Sequence, residues 1–328
     1  MKFGRLIIGL AAISTTVVAA FPIASAQVYP SRPINMVVPF PAGGATDVAA
    51  RILAERMQTS LGQPVVVENI SGVGGTIAVA RVARAAPDGY VLSLGDWTSH
   101  VSSSAIFPVQ YDVMSDLEPV ALLASGPQLF VGRSTIPAKD LAELIDWLKT
   151  QPNQASLALP GTLGSGGHVS GLAFQNAAGV RFQLVPYRGG APAIQDLVAG
   201  HVDLLFVGAS AALPYVRSGQ IKVFGVTTES RWAAAPDIPT ISESGVPLYF
   251  SLWQGLWAPK NTPKNVIERL NAVVVDTLAD ATLRQRFADF GQEIPPRSQQ
   301  TSEALGAHHR AEIAKWWPII KAAGIKVE

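Results

Sequence analysis

Glycine concentrates in this 328-residue chain where strands should hand over to helices, and those turns are its best candidates for chemistry. The first is Pro39-Phe40-Pro41-Ala42-Gly43-Gly44-Ala45-Thr46-Asp47. Paired glycines let backbone N–H groups approach a ligand closely. The helix that follows offers unpaired N–H donors and partial positive charge. Together these make an anion site without a cationic side chain, and Phe40 can close it from water. The alternative is a tight turn and nothing more. Asp47 favours that alternative, because its carboxylate can take up the helix-terminal field and has Arg51 one helical turn on as a partner.

Three further turns resemble the first in construction. Asn69-Ile70-Ser71-Gly72-Val73-Gly74-Gly75-Thr76 again opens a helix, and Gly95-Asp96-Trp97-Thr98-Ser99-His100 is small and polar with one large aromatic. Pro160-Gly161-Thr162-Leu163-Gly164-Ser165-Gly166-Gly167-His168 adds the hydroxyls of Thr162 and Ser165. No lysine follows its glycines, so it is neither a phosphate loop nor a dinucleotide fingerprint. One such turn is common. Several, shared between two sets of strands and helices, point to an anion held by backbone donors across a cleft.

Enzyme readings find less support. No G-x-S-x-G elbow occurs, and Ser165 with His168 at a helix start is a poor nucleophile–base pair. His168 is expected to orient its loop or to donate to a ligand. His308 and His309 are adjacent, so on a helix they diverge and make a poor metal pair. The chain has no cysteine, which removes thiol catalysis and cysteine metal sites. No cofactor and no metal are expected. Tyr249, Trp253 and Trp257 flank Gly255 and either line the cleft or pack in the core.

The elements that must position these turns alternate as strand and helix, the pattern of a parallel sheet covered on both faces. Strands are expected at Ile34–Phe40, Pro64–Glu68, Tyr90–Leu94, Ser156–Ala158, Gln183–Val185, Leu204–Val207 and Ile221–Thr227, with helices between most of them. Extended pieces at Ala121–Leu123 and Gln128–Val131 are separated by Ser125-Gly126-Pro127. After a segment rich in proline and tryptophan, the chain ends in helices without a sheet of their own. The economical arrangement is two α/β lobes: residues 27–124 with 225–328, and residues 125–224. Crossings near Leu122–Pro127 and Lys222–Val226 would form the hinge. A single large doubly wound sheet is the alternative.

The N-terminus names a compartment. Lys2 and Arg5 precede an apolar stretch from Leu6 to Ile23, and Ala24-Ser25-Ala26 supplies a small-residue cleavage site. That order is a secretory signal cut after Ala26. A retained anchor is the alternative, and Pro22 and Ser14-Thr15-Thr16 argue against it. Cleavage leaves about 300 residues, more than one hydrophobic core organises. It also removes two positive charges from a chain of formal charge +1, so nothing favours nucleic-acid binding.

Long ordered motifs then carry a resemblance: Tyr29-Pro30-Ser31-Arg32-Pro33-Ile34, Pro39–Gly44, Gly72–Thr76, Ala86-Pro87-Asp88-Gly89-Tyr90, Val185-Pro186-Tyr187-Arg188-Gly189-Gly190-Ala191-Pro192-Ala193 and Leu197–Asp203. From Tyr29 to its end the chain resembles the Bug family, periplasmic receptors of tripartite tricarboxylate transporters. The resemblance implies a two-lobed Venus-flytrap protein, monomeric, that captures a small organic carboxylate for membrane transporter subunits. A sensor presenting its closed form to a membrane signalling protein is the other reading. The implied contacts come from Phe40, Ala42, Gly43 and Gly44, from Thr98 and Ser99, and from Gly161, Thr162, Gly164, Ser165 and His168, with Tyr187 added. One departure stands out: Val207 and Gly208 occupy positions that many members fill with polar residues. With Trp97, Val207 suggests a ligand whose far end is less polar, an aromatic or aliphatic carboxylate.

Overall fold

Strand-forming and helix-forming stretches alternate along the computed structural model, which describes residues 29–161, 163–289 and 291–325. The signal segment, its cleavage point and Thr162 lie outside the described residues. β1 (Ile34–Val38), α1 (Ala45–Leu61), β2 (Val65–Asn69), α2 (Thr76–Ala83) and β3 (Val91–Asp96) form the first series. A π-helical turn, Thr98–Ser102, leads into the short α3 (Ser103–Ile106) and then β4 (Leu117–Arg133) and α4 (Leu141–Thr150). The second series is β5 (Ser156–Pro160), α5 (Gly166–Ala178), β6 (Gln183–Tyr187), α6 (Gly190–Ala199), β7 (Leu204–Gly208), α7 (Ala209–Arg217) and β8 (Ile221–Val226). β9 (Ser251–Pro259), α8 (Lys264–Leu278), α9 (Ala281–Asp289) and α10 (Ser302–Ala322) complete the chain.

The strand order is β2-β1-β3-β9-β4-β7-β5-β6, with β8 also on β4. β1 pairs in parallel with β2 and β3, and β5 in parallel with β6 and β7. Strands covered on both faces must be apolar throughout, and Ile34, Met36, Val37 and Val38 of β1 are fully buried. β4 belongs to both halves. Its Leu117–Pro127 portion lies antiparallel along β9, and Gln128–Arg133 lies between β7 and β8. The result is two α/β lobes crossed by β4 and β9.

Four features differ from the sequence expectation. The proline- and tryptophan-rich segment contains β9, a strand inserted between β3 and β4; its glycine and large aromatics hide the alternation that a strand shows. The two expected extended pieces are one 17-residue strand. Proline cannot donate to a ladder, yet Pro127 fits because it stands where β4 changes partners from β9 to β7. Helix α7 was obscured by Pro214 within it. The expected second crossing at Lys222–Val226 falls on β8, whose ladder runs along the Leu129–Arg133 end of β4. The strand that accompanies β4 into the first lobe is β9.

One apolar cluster runs through both lobes, from Trp97, Trp257 and Trp316 to Phe130, Phe174 and Phe206. Phe250, immediately before β9, joins the two ends. Its ring meets Trp97 edge-on at 4.8 Å and Trp316 at 5.3 Å. On the other side it packs so closely that a Cβ on Gly166 would lie 2.8 Å from it. Removing a core phenylalanine costs about 3–5 kcal/mol, so Phe250→Ala should lower unfolding stability by about that amount in urea titration. A loss under about 1 kcal/mol would show that the cluster relaxes around the void.

Candidate functional site

Beyond the carboxyl ends of the parallel strands the two lobes enclose a cavity of about 700 Å³, where ligands of open α/β sheets bind. Phe40, Ala42, Gly44, Thr98, Gly161, Ser165 and Val207 line it, as the sequence reading expects. Gly43, Trp97, Ser99, Gly164, His168 and Tyr187 do not reach its surface.

Those six have other work. Gly43, at φ +84°, turns its N–H to Asp47 Oδ2 at 2.8 Å. Trp97 is fully buried against Phe250 and Trp316, so it gives the cavity no apolar wall. Trp253 and Trp257 are likewise core residues. Ser99 donates its N–H to Asp96 Oδ1, and its Oγ accepts from the Asp96 N–H, each at 3.1 Å. Gly164 donates to His168 Nδ1 at 2.9 Å, and its carbonyl accepts from Ser102 Oγ in the other lobe. His168 therefore orients its loop. Tyr187 donates to Asp196 Oδ2 at 2.7 Å, while its carbonyl accepts the Gly161 N–H at 3.0 Å.

The two walls differ in charge. On the first lobe, Asp47 lies buried at the start of α1 and receives Gly43, Asn69 and Arg51. Burial alone would raise its pKa; those hydrogen bonds and the Arg51 charge outweigh it and hold the carboxyl below its usual range. Asp47 thus takes up much of the field of α1. On the second lobe, α5, α6 and α7 all begin at the cavity, through Ser165 and Gly166, Gly190, and Gly208 and Ala209. None of the three has an acidic residue in its first turn. Ser165 is 8 % exposed, and among the described residues its Oγ has no partner. Helix starts with free N–H groups attract anions. The first lobe adds one such start, that of α2, reached through the cavity-lining Gly72, Gly74 and Gly75 and likewise free of acid in its first turn. The second wall thus has three to the first wall's one.

Several lining residues escaped the sequence reading. Arg188 faces the cavity as an exposed cation; it stood within a quoted motif, where its charge was the available signal. Asp96 stood within a quoted loop. Gln128, whose Oε1 accepts from Ser170 Oγ at 2.8 Å, comes from the hinge strand, and Gly291 and Gln292 come from after α9. Nothing local in the sequence marks the last three as cavity residues, because only the long-range return of the chain brings them there.

Burial also sets the histidines. It lowers His168 and His309 each to about 4, and holds His100 well below the ordinary 6.5. The unfolded chain takes up protons at these sites near 6.5, and the native chain resists until about 4. Their contribution to stability is full above 6.5 and is lost as pH falls towards 4. Denaturant midpoints should fall steadily across that interval. Imidazole NMR signals of His168 titrating near 6.5 instead would contradict the neutral ring.

Comparison with known proteins places this geometry. The description "Tripartite tricarboxylate transporter family receptor" matches residues 49–325. Protein BugT of Bordetella pertussis is 34% identical over the whole of both chains. The structure of MatC from Rhodopseudomonas palustris with bound malate superposes with a TM-score of 0.79 at 36% identity, covering 89% of this chain and 100% of MatC. Rpa4515 of the same organism, solved with adipate, gives a TM-score of 0.79 at 33% identity, covering 91% and 99%.

Proposed function

The chain belongs to the tripartite tricarboxylate transporter receptor family, and on that premise we propose that it captures a small aliphatic carboxylate in its interlobe cavity and delivers it to a membrane transporter pair. Its family and fold are those of periplasmic binding receptors, not of enzymes. The observation that carries the reading is the buried Ser165 Oγ at the start of α5, which has no partner among the described residues. A carboxylate there would accept from the hydroxyl and from free N–H groups of the same helix, with α6, α7 and Arg188 adding positive potential. An aliphatic chain suits the remaining surface, where Phe40 and Val207 are apolar and no tryptophan intrudes. The neighbours solved with malate and adipate, both aliphatic diacids, support the same class.

In this reading the protein works as a monomer after cleavage at Ala26. We place the lobe boundaries in β4 at Ser125 and in β9 at its register partner Trp253. The second boundary is later than the sequence suggested, because Trp232, Ala235 and Ile238 pack with the second-lobe helices α6 and α7.

Gly44 provides the test. It lines the cavity with ordinary φ of −76°, and a Cβ there would meet nothing closer than the Pro41 carbonyl at 3.6 Å. Gly44→Val should therefore fold normally while filling ligand space. Wild-type protein in a carboxylate panel should gain about 2.7 kcal/mol of stability at a hundredfold excess over Kd. That gain should appear with some aliphatic acids only, and should be absent in the variant. A flat melting temperature across the panel, or undiminished affinity in Gly44→Val, would overturn the reading.

A further inference from the structure

The first-lobe wall carries a carboxyl at the cavity, that of Asp96. Every group placed against it is a donor or is uncharged. Its Oδ1 receives the Ser99 N–H at 3.1 Å and lies 3.3 Å from Ser99 Oγ. Its Oδ2 receives, among the described residues, one long hydrogen bond from Thr46 Oγ1 at 3.5 Å. Across the sheet its register partner is Gln254 of β9, which is uncharged. Such surroundings shape Asp96 as an acceptor, and they leave Oδ2 with unused capacity towards the cavity.

Asp96 also constrains how a ligand can lie. A ligand carboxylate beside an ionised Asp96 would meet like charge in a partly desolvated space. The opposite wall, with three helix starts and Arg188, attracts it. Taking the receptor reading as given, we infer that the ligand carboxylate lies against the second lobe and that its other portion presents a hydrogen-bond donor, a hydroxyl or an ammonium, to Asp96 Oδ2. This reverses the expectation of a less polar far end, since Trp97 is in the core and a carboxylate occupies the place assigned to it.

Burial pushes the Asp96 carboxyl up to about 6, against the lowering influence of Ser99, Thr98 and Thr46. Asp96 is therefore ionised at neutral pH and is neutralised just below it. Other titratable groups nearby keep one state across this interval. His100, linked through Ser99 Oγ at 2.9 Å, stays neutral. Asp47 on α1 stays ionised beside Arg51, and Arg188 faces the cavity from the far wall.

Calorimetric titration with succinate, malate and aspartate separates the possibilities, because the three differ in carrying no donor, a hydroxyl or an ammonium. A hydrogen bond to a charged group predicts that malate or aspartate binds about tenfold or more tightly than succinate. Which of the two wins identifies the donor. The preference should shrink as pH is lowered through about 6, and in Asp96→Ala the donor-bearing acid should fall to the affinity of succinate. Asp96→Asn, which keeps an acceptor for the Ser99 N–H, serves if the alanine variant does not fold. Equal affinities in wild type, or a preference that stays undiminished below about pH 6, would overturn the role of Asp96 and leave the receptor reading standing. Failure of these and of every other small carboxylate to bind would overturn both.

Discussion

A strand that serves two lobes has to satisfy its backbone in both, and the architecture follows from how β4 does so. Over its first part it pairs with β9; over its second it sits between β7 and β8. The handover falls at Pro127, the residue with no N–H to leave stranded. Since the ladder is continuous, the lobes are held in register by hydrogen bonds as well as by the aromatic cluster around Phe250. Because, among the described strands, β4 and β9 alone cross, the ladder itself gives a relative rotation of the lobes a narrow hinge. The cavity lies against that hinge, with Gly126, Pro127 and Gln128 of β4 in its lining.

The electrostatics of the cavity follow from the same winding. The βα units that follow β5, β6 and β7 each deliver a helix start to the cavity, so α5, α6 and α7 add their fields. The first lobe repeats the winding but spends part of its field on Asp47 and adds Asp96. Identical supersecondary units thus give one electropositive wall and one with acceptor character. Positive potential at this wall needs no dedicated cationic clamp, and Arg188 supplements a field that the backbone already makes.

Much of this was legible in the sequence, and the rest was hidden for definable reasons. The glycine turns after β1, β2, β3 and β5 that the sequence singles out all border the cavity, because strand-to-helix handovers are local and glycine marks them. Orientation was not legible. Phe40 and Trp97 are both large aromatics in such turns, yet Phe40 lines the cavity and Trp97 packs on Phe250; the difference lies in partners more than a hundred residues away. Ser99 and His168, expected to contact a ligand, stand one layer behind the cavity, where their polar atoms hold Asp96 and Gly164. β9 was missed because its central place depends on pairing with β3 and β4 and not on its own pattern. Asp96 and Arg188 were visible as charges, and only the enclosure of the cavity gave them meaning.

The last helix bears on how the protein comes into being. α10 fixes the turn after β3 from outside, with His309 Nε2 donating to the His100 carbonyl at 2.7 Å and Trp317 Nε1 donating to the Val101 carbonyl at 2.8 Å. That turn carries Asp96, Thr98 and the Ser102 link between lobes. Residues near the start of the chain are thus locked by residues near its end. In a chain that threads through a membrane from its N-terminus, the first lobe stays unfinished until the final segment has emerged. The second lobe, built from neighbours in sequence, can fold while export is still under way. Binding competence then arrives with the last turns of the polypeptide, so a receptor arrested midway through the pore would hold half a cleft and no cargo.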